Sequence, residues 1–274
     1  MAVTMADITK LRKMTGAGMM DCKNALTEAN GDFDQAIKII REKGQAVAAK
    51  RSDRDASEGC VLVKAADGFA AMIALKCETD FVAQNADFIK LTQDILDAAL
   101  ANKCKTLDEV KALPMGDANI AQAVTDRSGI TGEKMELDGY NTLEGTSIAT
   151  YNHQGKNFLC TMVAFNKDIE PKVGHEIAMQ IAAMAPIAVS EADVPADVLE
   201  REKEIAMEKA RQEGKPENML EKIAMGRISK FYKEVCLLKQ EYIQDSKLTV
   251  AEYLKSTDKE LTVTGFQRFT LRAE

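Results

Sequence analysis

An internal repeat constrains the fold of this chain more than any other feature of its sequence. The segment EGCVLVKAADGFAAMIALK, which starts at Glu58, resembles EGTSIATYNHQGKNFLCTMVAF, which starts at Glu144. Each segment is typical of a strand, a glycine-containing turn and a second strand. Each is followed by a polar connection and then by apolar residues at helical spacing. The pattern predicts two related antiparallel α+β units that share one core.

The helices that follow the two hairpins are marked by their apolar stripes. The stripe residues are Phe88, Leu91, Ile95 and Ala98 in the first copy, and Ile177, Ile181 and Met184 in the second. Residues 106–128 look helical, and residues 129–138 look like a turn followed by a strand. The C-terminal residues 261–271 alternate in polarity as a strand does, and we expect this strand to rejoin the middle sheet.

The N-terminal residues 1–44 have the pattern of three short helices separated by glycines. Thr4 with Asp7, and Asp32 with Gln35, are capping pairs that open the first and third helices. Gly44 is expected to end the third helix. Residues 45–57 are small, polar and locally basic, and they indicate a linker or an exposed arm.

Residues 191–245 differ in charge pattern from the rest of the chain. Two highly charged helical patterns are joined by Gly214-Lys215-Pro216, a glycine stop followed by a proline at a helix start. A narrow apolar seam flanked by charges is typical of an antiparallel helical hairpin. The alternative is two surface helices packed flat on the core.

The predicted fold class is therefore α+β, with a three-helix module, a two-part antiparallel core built on the repeat, and a helical hairpin. The expected domain limits are a module at 1–44, a linker at 45–57, a core N-subdomain at 58–140, the first part of a core C-subdomain at 141–190, the hairpin at 191–245, and a return to the C-subdomain at 246–274.

Composition excludes several classes of protein. The chain has 274 residues, of which 46% are hydrophobic and 29% charged, which is typical of globular proteins. Its formal net charge of −7 argues against broad nucleic-acid binding, which needs a basic surface. The apolar runs are too short to span a membrane, and the N-terminus lacks the apolar core of a signal peptide. We expect a cytoplasmic protein.

The sequence offers little for catalysis or metal binding. Six cysteines lie far apart without a C-x-x-C pair, and the chain has only two histidines, so we expect neither a metal site nor a cofactor. Phosphate-binding loops and the common hydrolase motifs are absent. Cys77 next to Glu78 could be a nucleophile and its base, but alternation along a strand equally makes Cys77 a core residue. The sequence favours a protein that acts by contact, without covalent chemistry.

The stretch KCETDFVAQN, from Lys76 to Asn85, places an acid beside a large aromatic residue in the connection after a predicted strand. Such connections are normally polar. Phe81 is therefore either packed on its own helix through Val82 and Phe88, or held out for a partner.

A second candidate contact surface lies in the N-terminal module. If Cys22, Ala25 and Leu26 face inward, Met20 and Lys23 face outward on the same helix and Met19 lies near the edge. An exposed methionine beside a basic residue makes an adaptable contact patch. The alternative is that the methionines belong to the core.

Several stretches together resemble the bacterial translation elongation factor Ts family over nearly the whole chain. They are MTGAGMMDCKNALTEANGD at 14–32, CETDFVAQN at 77–85, HEIAMQIAAMAP at 175–186, EGKP at 213–216 and VTGFQRF at 263–269. The resemblance implies a guanine-nucleotide exchange factor for the GTPase elongation factor Tu. It also implies a ubiquitin-associated-like fold for the first module and a coiled coil for the hairpin.

The resemblance also implies the site residues. Thr79, Asp80, Phe81 and Val82 match the motif that enters the G domain of elongation factor Tu near its magnesium ion. Positions that match Arg12, Met19, Met20 and Lys23 contact the same domain. The implied partner is elongation factor Tu, both GDP-bound and nucleotide-free, with no direct nucleic-acid or membrane partner; self-association stays open.

Two other functions compete with this interpretation. One is a helical interaction module that binds a different partner without exchange activity. The other is an enzyme built on Cys77 and Asp80, for which the sequence suggests no substrate.

Overall fold

The computed structural model describes residues 3–272 of the chain. These residues form two compact units. The first unit contains the N-terminal residues up to 62 and residues 71–141, and the second contains residues 63–70 and 142–270. Helix and strand are mixed in both units, which confirms the predicted α+β class.

The first unit begins with three helices, α1 (Met5–Thr15), α2 (Met19–Glu28) and α3 (Phe33–Lys50). The predicted caps are present. Thr4 and Asp7 form a reciprocal capping box, and the Asp32 side chain accepts a hydrogen bond from the backbone N–H of Gln35. The helices bury a small shared core, whose fully or nearly fully buried members include Ile8, Leu11, Cys22, Ala25, Leu26 and Ala36.

Gly44 does not end α3, so the predicted helix end is wrong. The helix continues to Lys50, through the first part of the segment expected to be a linker. Gly44 is buried against Gly129 of helix α7 (Ile120–Thr131), and a Cβ atom on Gly129 would lie 2.1 Å from the Gly44 Cα. The two glycines allow two helix backbones to approach closely, which is a different use of glycine from the helix stop that the sequence suggested.

A three-stranded sheet follows in the order β1-β2-β5. Its strands are β1 (Glu58–Ala66), β2 (Phe69–Cys77) and β5 (Met135–Glu144). A two-residue turn joins β1 to β2, with positive φ at both Asp67 and Gly68. The central strand β2 is buried along almost its whole length, whereas β1 is exposed at both ends. Helices α4 (Asp80–Ala83) and α5 (Ala86–Ala101) come directly after β2.

The stretch predicted as one helix over 106–128 is two helices. They are α6 (Leu107–Ala112) and α7, and a small hairpin of β3 (Pro114–Met115) and β4 (Ala118–Asn119) separates them. Pro114 cannot continue a helix, and Gly116 has a φ of +62° in the hairpin turn. Helix α7 also runs past the predicted turn at Gly129 and ends at Thr131, where Gly132 is the C-cap with a φ of +72°.

The second unit repeats the arrangement of hairpin and helix. Strands β6 (Ser147–Asn152) and β7 (Leu159–Phe165) pair antiparallel, and helix α8 (Pro171–Met184) follows. Strand β10 (Val263–Thr270) lies on the other side of β7, from Val263 opposite Phe165 to Thr270 opposite Leu159. The predicted return of the C-terminal strand to a sheet is confirmed.

Two long helices, α9 (Ala196–Gln212) and α10 (Glu217–Val235), form the predicted antiparallel pair. The seam between them buries Ala206, Ala210, Leu220 and Ala224. An ion pair joins Glu213 to Arg227 across it at 2.8 Å. This pairing favours the hairpin over two helices packed flat on the core. Strands β8 (Glu241–Tyr242) and β9 (Asp245–Thr249) and helix α11 (Val250–Thr257) complete the unit.

Candidate functional site

The Thr79–Val82 motif forms a single helical turn between β2 and α5. Thr79 is the N-cap of α4, and its side chain accepts a hydrogen bond from the backbone N–H of Val82 at 3.4 Å. Asn85 then caps α5 by accepting from the N–H groups of Asp87 and Phe88, at 2.9 and 3.4 Å. Two successive N-caps therefore fix the start of α4 and the start of the helix that follows it.

Phe81 protrudes from this turn and is 85% exposed to solvent. Phe88, seven positions further on, is completely buried. The alternative in which Phe81 packs on its own helix with Phe88 is therefore wrong. Leaving a phenylalanine in water forgoes roughly 1.5–3 kcal/mol of burial free energy, which is available for contact with a partner.

Asp80 lies beside Phe81 in the first turn of α4 and is also exposed. Within residues 3–272 its carboxylate has neither a hydrogen bond nor an ion pair. Val82 is half-buried and Thr79 is partly covered. The motif thus divides into two anchoring residues and two residues that face outward with an apolar ring and a negative charge.

A carboxylate from another segment holds the start of the turn. Glu133, which follows the end of α7, accepts hydrogen bonds from the backbone N–H groups of Glu78 and Thr79, at 3.2 and 3.1 Å, and from the Thr79 hydroxyl at 2.6 Å. Sequence reasoning missed Glu133. The residue lies 54 positions from Thr79 in the chain, and no local pattern marks the pairing.

The neighbouring carboxylate of Glu78 also binds distant parts of the chain. Its carboxylate accepts from the backbone N–H of Lys134 at 2.6 Å, from Arg51 at 3.0 Å and from Arg54 at 3.2 Å. The Lys134 hydrogen bond contributes most to lowering the pKa of Glu78 below its ordinary value, and both arginines lower it further. Two residues of the supposed linker therefore bind the base of the exposed turn.

Cys77 does not have the properties of a nucleophile. Its thiol is buried and donates a hydrogen bond to the backbone carbonyl of Thr79 at 3.2 Å. Burial and the neighbouring carboxylate of Glu133 raise the pKa of Cys77 to about 12, so the thiolate is not formed at neutral pH. Glu78, the suggested base, is occupied by Lys134 and the arginines. The six cysteines are all buried thiols.

The second predicted group lies on the N-terminal helices. Arg12 and Lys23 are exposed, Met20 is 65% exposed and Met19 is 42% exposed. Cys22, which lies between them on α2, is buried. The predicted orientation of α2 is confirmed, and the alternative that these methionines belong to the core is wrong.

The two groups of site residues lie on different elements of the first unit. Among residues 3–272, no hydrogen bond or ion pair joins Thr79–Val82 directly to Arg12, Met19, Met20 or Lys23. They are connected through α3, which packs against α2 and ends immediately before Arg51, the partner of Glu78.

The described part of the chain contains no cluster of three or more His, Cys, Asp or Glu residues that could hold a metal ion. His153 lies in the turn before β7, where its Nδ1 atom is 3.0 Å from the Tyr151 hydroxyl. His175 packs edge-on against the ring of Tyr151, with ring centroids 5.3 Å apart. Both histidines are accounted for by aromatic packing in the second unit.

Comparisons with known proteins agree with the sequence motifs. A family model described as Elongation factor TS matches residues 78–273. The chain is 60% identical to the Elongation factor Ts of Bacteroides fragilis, 58% identical to that of Porphyromonas gingivalis and 48% identical to that of Azobacteroides pseudotrichonymphae, and in each case all of both chains is covered. The chain therefore belongs to the elongation factor Ts family.

Proposed function

We propose that this chain is the guanine-nucleotide exchange factor for elongation factor Tu in protein biosynthesis, and that it promotes GDP release and GTP reloading by disturbing the magnesium and nucleotide site of its partner. Family membership supports the activity. The observation that carries the mechanism is Phe81, 85% exposed on a turn whose start is capped by Thr79.

Magnesium makes the nucleotide site of a GTPase sensitive to small displacements. The ion requires nearly octahedral oxygen coordination at about 2.0–2.1 Å and bridges the nucleotide phosphates. A side chain that shifts the segments holding those oxygens weakens the retention of both ion and nucleotide. Burying Phe81 in the partner provides roughly 1.5–3 kcal/mol with which to hold such a shifted state.

Asp80 adds an electrostatic contribution. Its carboxylate has no partner within residues 3–272, so it is available to compete with the phosphates for positive groups or to repel them. Thr79 and Val82 anchor the turn, and Asp80 and Phe81 act on the partner. The pair works by displacement, without covalent chemistry and without a cofactor of its own.

Exchange then follows from reciprocal linkage. If the factor and the guanine nucleotide each bind the GTPase more weakly when the other is present, binding of the factor favours GDP dissociation, and binding of GTP in turn favours dissociation of the factor. The factor must therefore bind both the GDP-bound and the nucleotide-free partner.

The exposed residues of the N-terminal module provide the docking surface. Methionines adapt to an uneven partner surface because their side chains are flexible, and Arg12 and Lys23 add positive charge beside them. We assign the ubiquitin-associated-like fold to this module and a coiled coil to the α9–α10 hairpin. The module extends to the end of α3 at Lys50. The other predicted domain limits, from the core N-subdomain at 58–140 to the return to the C-subdomain at 246–274, belong to the same proposal.

The proposed setting is the cytoplasm, with elongation factor Tu as the protein partner and no direct nucleic-acid or membrane partner. Self-association is not assigned. As a separate finding, none of the helices in residues 3–272 is both long and apolar enough to cross a membrane.

Mixing the chain with elongation factor Tu loaded with a fluorescent GDP tests the activity. A factor that exchanges nucleotide accelerates GDP release at substoichiometric concentration, because each molecule acts repeatedly. Binding without acceleration would instead support the competing function, an interaction module with no effect on the nucleotide.

A further inference from the structure

Glu133 connects the exposed turn to the rigid end of a helix. Helix α7 ends at Thr131 with Gly132 as its C-cap, the Glu133 carbonyl accepts a hydrogen bond from the Ser128 hydroxyl at 2.5 Å, and the Glu133 N–H donates to Thr131 at 3.3 Å. The backbone of Glu133 is thereby fixed on both sides. Its carboxylate reaches the turn from a support that does not depend on the turn itself.

The Thr79 hydroxyl is shared between Glu133 and α4. It donates its hydrogen to the Glu133 carboxylate at 2.6 Å and accepts from the Val82 N–H at 3.4 Å. A hydroxyl has one hydrogen, so donation to a carboxylate leaves its lone pairs for the helix amide. The strong, charge-assisted bond to Glu133 thus orients the cap that holds α4.

Phe81 depends on this cap because α4 is only four residues long. So short a helix has almost no stability of its own and takes its geometry from its ends. Without the Glu133 carboxylate, the Glu78 and Thr79 amides lose their acceptor and the Thr79 hydroxyl is free to rotate. Phe81 would then sample several orientations, and its entry into the nucleotide site of the docked partner would have to restrict them at a cost.

We propose that Glu133 is a positioning residue for nucleotide exchange, which holds Thr79 so that α4 presents Phe81 in one outward orientation. The inference rests on the proposed function, since the orientation of Phe81 matters to exchange only if Phe81 acts on the GTPase. Glu133 itself is not required to touch the partner.

The test compares Glu133→Ala with a matched control, Glu109→Ala. Glu109 is also a carboxylate that accepts from two backbone N–H groups, those of Lys105 and Thr106 at 2.6 and 3.3 Å, but it caps α6. We expect Glu133→Ala to lower the maximal rate of GDP release about tenfold, because charge-assisted hydrogen bonds of ordinary strength are lost. The factor concentration at half-maximal rate should not change, and Glu109→Ala should match the wild type.

A double-mutant cycle with Phe81→Ala separates positioning from general destabilisation. If Glu133 acts through Phe81, adding Glu133→Ala to Phe81→Ala lowers the rate no further. A merely structural role would lower the rate by the same factor in both backgrounds. Glu133→Gln, which keeps one carbonyl acceptor, should give an intermediate rate and faster hydrogen exchange at the Thr79 amide, and it replaces Glu133→Ala in the cycle if the alanine variant does not fold.

Three results are decisive. The inference is supported if Phe81→Ala slows GDP release and the Glu133 substitution slows it no further in the Phe81→Ala background. The inference is overturned, and the proposed function left intact, if Phe81→Ala slows GDP release but the Glu133 variants act at the wild-type rate. The same holds if the effects of the Phe81 and Glu133 substitutions on the rate are additive. Wild-type release from Phe81→Ala overturns the proposed mechanism, and the inference with it.

Discussion

After β2 the chain turns through α4 with Phe81 85% exposed, whereas after β7 it turns through residues 166–170 with Ile169 half-buried and packed against the core of the second unit. Both connections follow the central strand of a three-stranded sheet and lead into a helix. Both also contain one large apolar side chain. The same supersecondary frame therefore uses that side chain for its own core in one copy and presents it outward in the other.

The two connections are anchored in corresponding ways. In the first, Glu78 and Thr79 bind the segment at Glu133 and Lys134 that leads into β5. In the second, Asn166 and Lys167 bind residues 258–262, which lead into β10. In each copy the connection is tied to the segment before the third strand. The difference between the copies thus lies in the apolar side chain and not in the anchoring, which argues that the exposure of Phe81 is a functional feature.

The largest expected effect comes from Phe81→Ala set against Ile169→Ala. Phe81→Ala should slow GDP release from elongation factor Tu by roughly 10- to 150-fold, the equivalent of the burial free energy of the ring. Its free energy of unfolding should stay within about 0.5 kcal/mol of the wild type, because the ring is exposed. Ile169→Ala should lower the melting temperature of this chain. The folded variant should still promote GDP release from elongation factor Tu at the wild-type rate. Stopped-flow fluorescence and thermal unfolding measure the two effects, and a strong loss of stability in Phe81→Ala would break the comparison.

The next largest expected effect is on stability, and it comes from Gly174 beside the second connection. A Cβ atom at Gly174 would lie 2.7 Å from both the Ile169 Cδ1 and the Ala149 Cβ. Gly174→Ala should therefore destabilise the protein by about 1–3 kcal/mol through overpacking. Urea unfolding measures the change. In an Ile169→Ala background, Gly174→Ala should cost less stability than in the wild type, because one of the two clashes is absent. An equal cost in both backgrounds would mean that Ile169 does not pack against this part of the core.

The effect that is smallest near neutral pH is a pH dependence of stability at the end of β2. The pKa of the Cys77 thiol is raised from 9.0 to about 12 in the folded protein, mainly by burial. The unfolded thiol ionises first, so this contribution to stability is complete below pH 9 and is lost as pH rises toward 12. Cys77→Ala should show a shallower loss of stability over that range than the wild type. Denaturant unfolding at several pH values checks this, and identical slopes would mean that the thiol is not desolvated.

Much of the fold follows from local sequence signals. The caps at Thr4 and Asp32, the two hairpins and the break at Gly214 depend on residues close together in the chain, and the structure has them as the sequence indicates. The C-terminal strand was also predictable, because residues 261–271 alternate in polarity as a strand does.

The failures share a physical cause, which is that the decisive partner is distant in the chain. Gly44 looks like a helix stop until Gly129 is seen against it, and Arg51 and Arg54 look like solvated charges until Glu78 is seen between them. The exposure of Phe81 was left open by the sequence for the same reason. Local patterns locate the motif, and only long-range packing decides which of its side chains face outward.

In the proposed mechanism, Asp80 and Phe81 act on the nucleotide site of elongation factor Tu from outside the fold of this chain. The most direct measurement is the rate of GDP release from elongation factor Tu at saturating concentrations of the Asp80→Ala/Phe81→Ala double variant. We expect the variant still to bind the GTPase through Arg12, Met19, Met20 and Lys23. Elongation factor Tu should then release GDP far more slowly with the variant than with the wild type. Release at the wild-type rate would contradict the proposed mechanism.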